Sequence, residues 1–202
     1  MNTTENVIIQ KDATANPAPI GLLGFGMTTV LLNLHNAGIY ELNAMILSMG
    51  IFVGGIAQVL AGFQEWKKNN TFGATAFTAY GMFWLTLVAI ILIPKTSIGA
   101  ELKASETAMG WFLIMWGLFT FFMFIGTLKL NRVLQTVFLT LTVLFFLLAI
   151  TEFTGNASIR IFAGYEGIFC GLSAFYGSMA LVINEVYNKT VLPMGVKRKI
   201  IL

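Results

Sequence analysis

Very few side chains in this 202-residue sequence are of a type that does chemistry. It contains one histidine, His35, and one cysteine, Cys170, which lie in different apolar segments. Neither a set of metal ligands nor a nucleophile beside a base can be built from them. We therefore expect no catalytic residues, no metal site and no bound cofactor, and the pattern argues against an enzyme.

The apolar segments do hold uncharged polar side chains. Gln58 lies between Gly55 and Gly62, and a buried amide must find hydrogen-bond partners. Such an amide suits transient contact with a small solute, and it suits equally a bond that holds two helices together. The candidates for solute contact are Gln58, Thr28, Thr29, Asn33, Trp84 and the phenol of Tyr80.

Six apolar segments carry these residues. The chain is 57% hydrophobic and only 10% charged, with a mean hydropathy of +0.81, whereas a soluble domain carries roughly 25% charged residues. A helix of about 20 apolar residues crosses a membrane, so we predict an all-α membrane protein of six transmembrane helices. The predicted spans are 20–34, 42–63, 72–93, 109–128, 133–150 and 159–183, between a tail at 1–19 and a basic tail at 184–202.

The lysine and arginine residues predict the orientation. With six spans, both tails and the second and fourth loops share one side of the membrane, which we expect to be the cytoplasm. The positive charge therefore indicates membrane orientation and not nucleic-acid binding. The expected cytoplasmic cations are Lys11, Lys67, Lys68, Lys129, Arg132, Lys189, Lys197, Arg198 and Lys199, against Lys95, Lys103 and Arg160 on the other side.

Three further features leave alternatives open. Small residues recur in the sixth span at Gly164, Gly167, Gly171, Ala174 and Ser178. They allow close helix packing, or some make room for a pathway. The fifth span holds mostly large residues, typical of a helix that faces lipid or fills space. Glu166 is an ionisable residue within a span, and it either pairs with Arg160 at the outer mouth or gates a substrate.

The segment NPAPIGL at 16–22 resembles the NPAPLGL signature of the acetate uptake transporter family. In this segment Asn16 is a plausible N-cap. The N–H groups of Ile20 and Gly21 would then be free to hold an anion, or the segment simply starts a helix. The similarity covers residues 16 to about 193, through GFGMTT at 24–29, GGIAQ at 54–58, NTFG at 70–73, AYG at 79–81, FW at 83–84, RVLQ at 132–135 and TVLP at 190–193.

The resemblance implies a homo-hexamer in the plasma membrane, in which each protomer has a narrow pathway for acetate or related small carboxylates such as succinate. It implies a constriction formed by Phe25, Tyr80 and Leu141, and a position at Ala174 where side-chain size affects which carboxylate passes. No predicted span has an ionisable residue at its centre, so we expect the proton to travel on the substrate. The alternative is a channel for a neutral solute such as ammonia, urea or water.

Cysteine labelling tests the predicted orientation. In intact cells an impermeant reagent should label a Ser105→Cys variant and leave a Lys67→Cys variant unlabelled until the membrane is permeabilised. The opposite result, with position 67 labelled and position 105 protected, would contradict the prediction.

Overall fold

The computed structural model describes residues 14–195 as six long helices, each long and apolar enough to cross a membrane. This confirms the predicted all-α membrane fold. Residues 1–13 and 196–202, with Lys11, Lys197, Arg198 and Lys199 of the predicted tails, lie outside the described residues. The helices are α1 (Ala18–Asn36), α2 (Ala44–Lys67), α3 (Thr71–Lys95), α4 (Glu106–Thr127), α5 (Arg132–Thr154) and α6 (Ala157–Val186).

Both ends of the described chain lie on one side of the bundle, which we call the terminal face. The Lys68 ammonium donates to the carbonyl of Thr14 at 2.9 Å, and the Arg132 N–H donates to the carbonyl of Gly195 at 3.2 Å. The loops that join α2 to α3 and α4 to α5 are on this face too, because the chain returns to its starting side after every second span.

Side-chain caps determine where most of the helices begin, because the first N–H groups of a helix have no partner within it. Five caps accept a first-turn N–H at 2.9 to 3.2 Å, and they are Asn43, Asn70, Ser105, Asn131 and Asn156. In α1 the N-cap position is held by Pro17 and not by the predicted Asn16. Asn16 lies one residue earlier, and its Oδ1 accepts the N–H of Ala18 at 3.0 Å.

The middle of α2 is a π-helix from Gly50 to Ala57, a wider winding that is rare in proteins and is often found at functional sites. Its glycines let α3 approach closely. A Cβ on Gly54 would lie 2.9 Å from the indole of Trp84, and one on Gly55 would lie 2.6 Å from Leu85. Gln58 is the first residue after this segment, so the π-helix sets the direction of its side chain.

The six helices form a closed ring. Each helix packs beside its neighbours in the chain, and α6 returns to pack along α1. The contact between α3 and α4 is made largely by aromatic side chains, with Phe83 stacked on Phe112 at a centroid distance of 5.7 Å and set edge-on to Trp116 at 5.1 Å. A ring of this kind leaves its central axis available for a pathway.

The predicted small-residue stripe of α6 packs against α1. A Cβ on Gly171 would lie 2.7 Å from the carbonyl oxygen of Gly26, and a Cβ on Gly26 would lie 2.7 Å from that of Gly171. Two turns further on, Ser178 donates its hydroxyl to the carbonyl of Pro19 at 2.6 Å. Backbone therefore lies on backbone along this contact, and the stripe is a packing face.

The large residues of α5 fill space. In the most apolar stretch of α5, 44% of residues are buried, against 22% in α4. Of the two interpretations of the fifth span, the structure favours the interior one, and α4 is the helix that exposes more of its surface.

A Gly171→Leu substitution should disrupt the α1–α6 contact, because the new Cβ meets the backbone oxygen of Gly26 and the backbone nitrogen of Val30, which cannot move aside. Overpacking typically costs about 1–3 kcal/mol and sometimes more, so we expect lower expression and a lower melting temperature of the purified protein. Gly126→Leu is the matched control, since its Cβ meets only the Phe72 ring at 3.2 Å. Equal stability of the two variants would contradict the packing role.

Candidate functional site

The structure brings Phe25 of α1, Tyr80 of α3 and Leu141 of α5 together around one cavity. All three side chains are buried, and the rings of Phe25 and Tyr80 lie 5.9 Å apart between centroids. The cavity has a volume of about 20 Å³, which is room for one water molecule. We call it the constriction, and in this conformation it does not hold a molecule larger than water.

Gln58 of α2 lines the same constriction. Its side chain is 0% exposed, and neither Nε2 nor Oε1 has a hydrogen-bond partner in residues 14–195. A buried polar group without a partner costs about 1–3 kcal/mol. The interhelical bond that was one interpretation of Gln58 is therefore not formed here. The other lining residues are Leu22, Ala76, Phe77, Val137 and Phe138.

The phenol of Tyr80 is already engaged. It donates to the hydroxyl of Thr120 in α4 at 2.9 Å, and Thr120 in turn donates to the carbonyl of Trp116 at 2.7 Å. These bonds hold the ring of Tyr80 at the constriction while its hydroxyl proton is committed to α4. Tyr80 thus contributes an aromatic surface to the cavity.

Two of the predicted solute contacts serve the helix packing. Thr28 donates its hydroxyl to the carbonyl of Met49 in α2 at 3.3 Å. The Asn33 amide donates to the carbonyl of Thr29 at 2.9 Å and accepts from Asn36 at 3.0 Å. Both Thr28 and Asn33 are buried, so their polar groups are occupied within the protein.

Trp84 and Thr29 differ from these. The indole Nε1 of Trp84 and the hydroxyl of Thr29 are buried, and neither finds a partner in the part of the chain that the structure describes. Trp84 lies one helical turn beyond Tyr80, on the side of the constriction away from the terminal face. Free donors are therefore available on that side.

A second, larger cavity of about 270 Å³ lies between the constriction and the terminal face, and the two cavities share Leu22, Ala76, Phe77 and Phe138. We call it the vestibule. Its lining includes Asn16, Asn70 and Asn131, the residues at the starts of α1, α3 and α5. The N-terminus of a helix carries partial positive charge and suits an anion, and here three of them converge.

The N–H of Gly21 is not free, contrary to the expectation. It donates to the carbonyl of Pro17 at 3.3 Å, because α1 is already wound at that residue. The side chain of Ile20 is 45% exposed, and neither Ile20 nor Gly21 is among the residues that line the vestibule. Of the NPAPIGL segment, Asn16, Ala18 and Leu22 line it.

Glu65 is a vestibule residue that sequence reasoning missed. It is 3% exposed, and its Oε2 accepts the amide of Asn70 at 2.7 Å. In the sequence it follows the predicted second span, 42–63, among polar residues that indicate only the end of a helix. Glu65 is seven residues, or two turns, from Gln58 and on the same helix face. This spacing is the sequence signal that could have identified it.

The pair of Glu166 and Arg160, one of the two alternatives for Glu166, is not formed. Arg160 contacts Glu152, with 3.8 Å between Nη2 and Oε1, while both carboxylate oxygens of Glu166 are buried and unpartnered among the described residues. Two residues six positions apart on a helix are separated by about 9 Å along its axis, and their side chains face different directions. Arg160 instead reaches across the loop to the end of α5.

Ala174 lies next to the constriction and not on its wall. It is fully buried in α6, one turn from Cys170, whose sulfur is 3.6 Å from the carbonyl oxygen of Val137. Val137 itself lines the constriction. Among the described residues no group of three or more histidine, cysteine, aspartate or glutamate side chains is placed to hold a metal ion.

Comparison with known proteins relates this arrangement to a family. The model of the GPR1/FUN34/yaaH family matches residues 2–195. The succinate-acetate/proton symporter SatP of Escherichia coli K12 is 60% identical over 181 residues, 90% of this chain and 95% of that protein. Ammonia transport outward protein 2 of Saccharomyces cerevisiae is 38% identical over 173 residues, 82% of this chain and 61% of that protein.

A solved structure has the same fold. The bacterial acetate channel SatP superposes with a TM-score of 0.88 at 59% sequence identity, over 90% of this chain and 99% of that one. These matches confirm the resemblance that the motifs indicated. The chain belongs to the GPR1/FUN34/yaaH family, the acetate transporter family.

Proposed function

We propose that this protein transports acetate, and other small carboxylates such as succinate, along a pathway through each protomer. The observation that carries the proposal is the apolar constriction of Phe25, Tyr80 and Leu141, which has the unpaired amide of Gln58 buried beside it and adjoins the vestibule. The relatives named for succinate and acetate transport match almost the whole chain, which supports the same substrate class here.

The substrate crosses the constriction as the uncharged acid. The lining contains no cation to pair with a carboxylate, and burying an unpaired carboxylate in an apolar site is prohibitively costly. A small carboxylic acid titrates near pH 4, roughly as a side-chain carboxyl does, so uptake rises as the outside becomes acidic. A proton that rides on the substrate is compatible with a relative named as a proton symporter and with another named as a channel.

The protein lies in the plasma membrane, and its vestibule faces the cytoplasm. Cationic residues concentrate in the loops of the terminal face, as the positive-inside pattern requires. Those within the described chain are Lys67, Lys68, Lys129, Arg132 and Lys189. The three helix N-termini around Asn16, Asn70 and Asn131 then bind the carboxylate on the cytoplasmic side, where it loses or gains its proton.

The working assembly is a homo-hexamer in which every protomer keeps its own pathway. The ring of helices closes within one chain, so the pathway does not require a second copy. Mass measurement of the detergent-solubilised protein tests the assembly.

Glu166 does not pair with Arg160. Gating of the substrate therefore remains the predicted role of Glu166.

Transport by the purified protein in liposomes tests the proposed function. Uptake of labelled acetate should exceed that of protein-free vesicles, which measure the passage of acetic acid through lipid alone. An inward proton gradient should increase it. Urea or ammonia flux without acetate flux would contradict the proposal and favour the neutral-solute channel.

Selectivity variants test the constriction. Leu141→Ala should widen the cavity and raise the ratio of propionate, butyrate or succinate uptake to acetate uptake, because side-chain volume limits what passes between closely packed atoms. Ala174→Phe should lower that ratio by pressing on the wall at Val137. A packing defect costs roughly 2–5 kcal/mol and would reduce all uptake in proportion.

Leu139→Ala is the matched control, since Leu139 lies on the same helix and its side chain is 48% exposed. Each variant is compared at verified oligomeric state. A ratio that is unchanged in both Leu141→Ala and Ala174→Phe would place the bottleneck elsewhere.

A further inference from the structure

Gln58 is the group that the constriction leaves without a hydrogen bond. The side chain is fully buried, and both polar atoms of the amide lack partners within the described range 14–195. The rest of the wall is hydrocarbon and aromatic ring, since the hydroxyl of Tyr80 is bonded to Thr120. Buried polar groups in proteins are as a rule satisfied, so an unpaired amide buried beside the constriction points to a ligand that completes it when the side chain turns toward the cavity.

The chemistry of an amide defines that ligand. Gln58 presents N–H donors and a carbonyl acceptor side by side. An uncharged carboxyl group presents the complementary pair, a carbonyl acceptor beside an O–H donor. A carboxylate is an acceptor only, so it would satisfy Nε2 and leave its own lone pairs facing those of Oε1.

A primary amide presents the same complementary pair as the uncharged acid. Acetamide has the same number of non-hydrogen atoms as acetic acid and nearly the same shape, so both need the same displacement of the side chains around a cavity of about 20 Å³. The two molecules therefore differ at this site in one respect only, because acetamide does not lose a proton in the physiological range.

We propose that Gln58 binds the uncharged carboxyl group through a pair of hydrogen bonds and that the same site admits small primary amides such as acetamide. The inference rests on the proposed function, since it concerns the same pathway, and it defines the substrate class by its chemistry. A substrate has a short apolar body and a neighbouring donor and acceptor at one end.

Flux measurements with purified protein in liposomes test the inference. Labelled acetamide should enter wild-type vesicles faster than protein-free vesicles, and unlabelled acetamide should compete with acetate uptake. Gln58→Met keeps the length of the side chain and removes the amide, so it should reduce the protein-dependent acetamide flux roughly tenfold or more. Gln64→Met is the matched control, because Gln64 is exposed on the same helix.

A second variant separates recognition from folding. In Gln58→Glu the donor is present only when the new carboxyl is protonated. Acetamide itself does not titrate, and the ionisable residue that shares the wall, Tyr80, donates to Thr120. Acetamide flux through Gln58→Glu should therefore increase as the pH falls between about 8 and 5, while wild-type flux stays level over the same interval.

The outcomes are distinct from those of the proposed function. Acetate transport without any acetamide flux or competition would overturn the inference and leave the proposed function standing. Gln58→Met with wild-type acetamide flux would overturn it, and so would a level pH profile in Gln58→Glu. A wild-type protein that carries neither acetate nor acetamide would contradict the proposed function itself.

Discussion

A polar solute at the centre of this helix ring must take its hydrogen bonds from the protein, because neither lipid nor bulk water reaches it there. Most polar side chains of the interior have already been used. Thr28 is bonded to α2, Asn33 to its own helix and Tyr80 to Thr120. The amide of Gln58 remains unpaired, so the chemistry of the constriction depends on which group the fold leaves free.

Close backbone contact determines the width of the ring. Gly26 and Gly171 bring α1 and α6 together, and the π-helix of α2 lets α3 pack against Gly54 and Gly55. These contacts place Phe25 within 5.9 Å of Tyr80. At the terminal face the N-caps of α3 and α5, Asn70 and Asn131, line the vestibule together with Asn16, which precedes the N-cap of α1, so residues at helix starts provide much of its polar surface.

The sequence predicted the six spans because long apolar runs and polar loops are local properties. The convergence of Phe25, Tyr80 and Leu141 followed from family resemblance alone, since no local pattern tells which faces of three helices meet. Glu65 was missed because a carboxylate near a helix end also indicates where a span stops. The Arg160–Glu166 pair, one of two alternatives for Glu166, is not formed because six residues of helix turn the two side chains in different directions. No sequence pattern marked the π-helix or the unpaired state of Gln58.

The dependence of uptake on membrane potential tests the central claim most directly, namely that the constriction passes an uncharged molecule. Liposomes with a potassium gradient and valinomycin hold the potential at a set value. About 100 mV is worth roughly 2.3 kcal/mol per elementary charge, or a bias of about fifty-fold. We predict the same protein-dependent initial rate of acetate uptake at zero and at 100 mV of either sign. A rate that follows the potential with the sign of an anion would contradict the account.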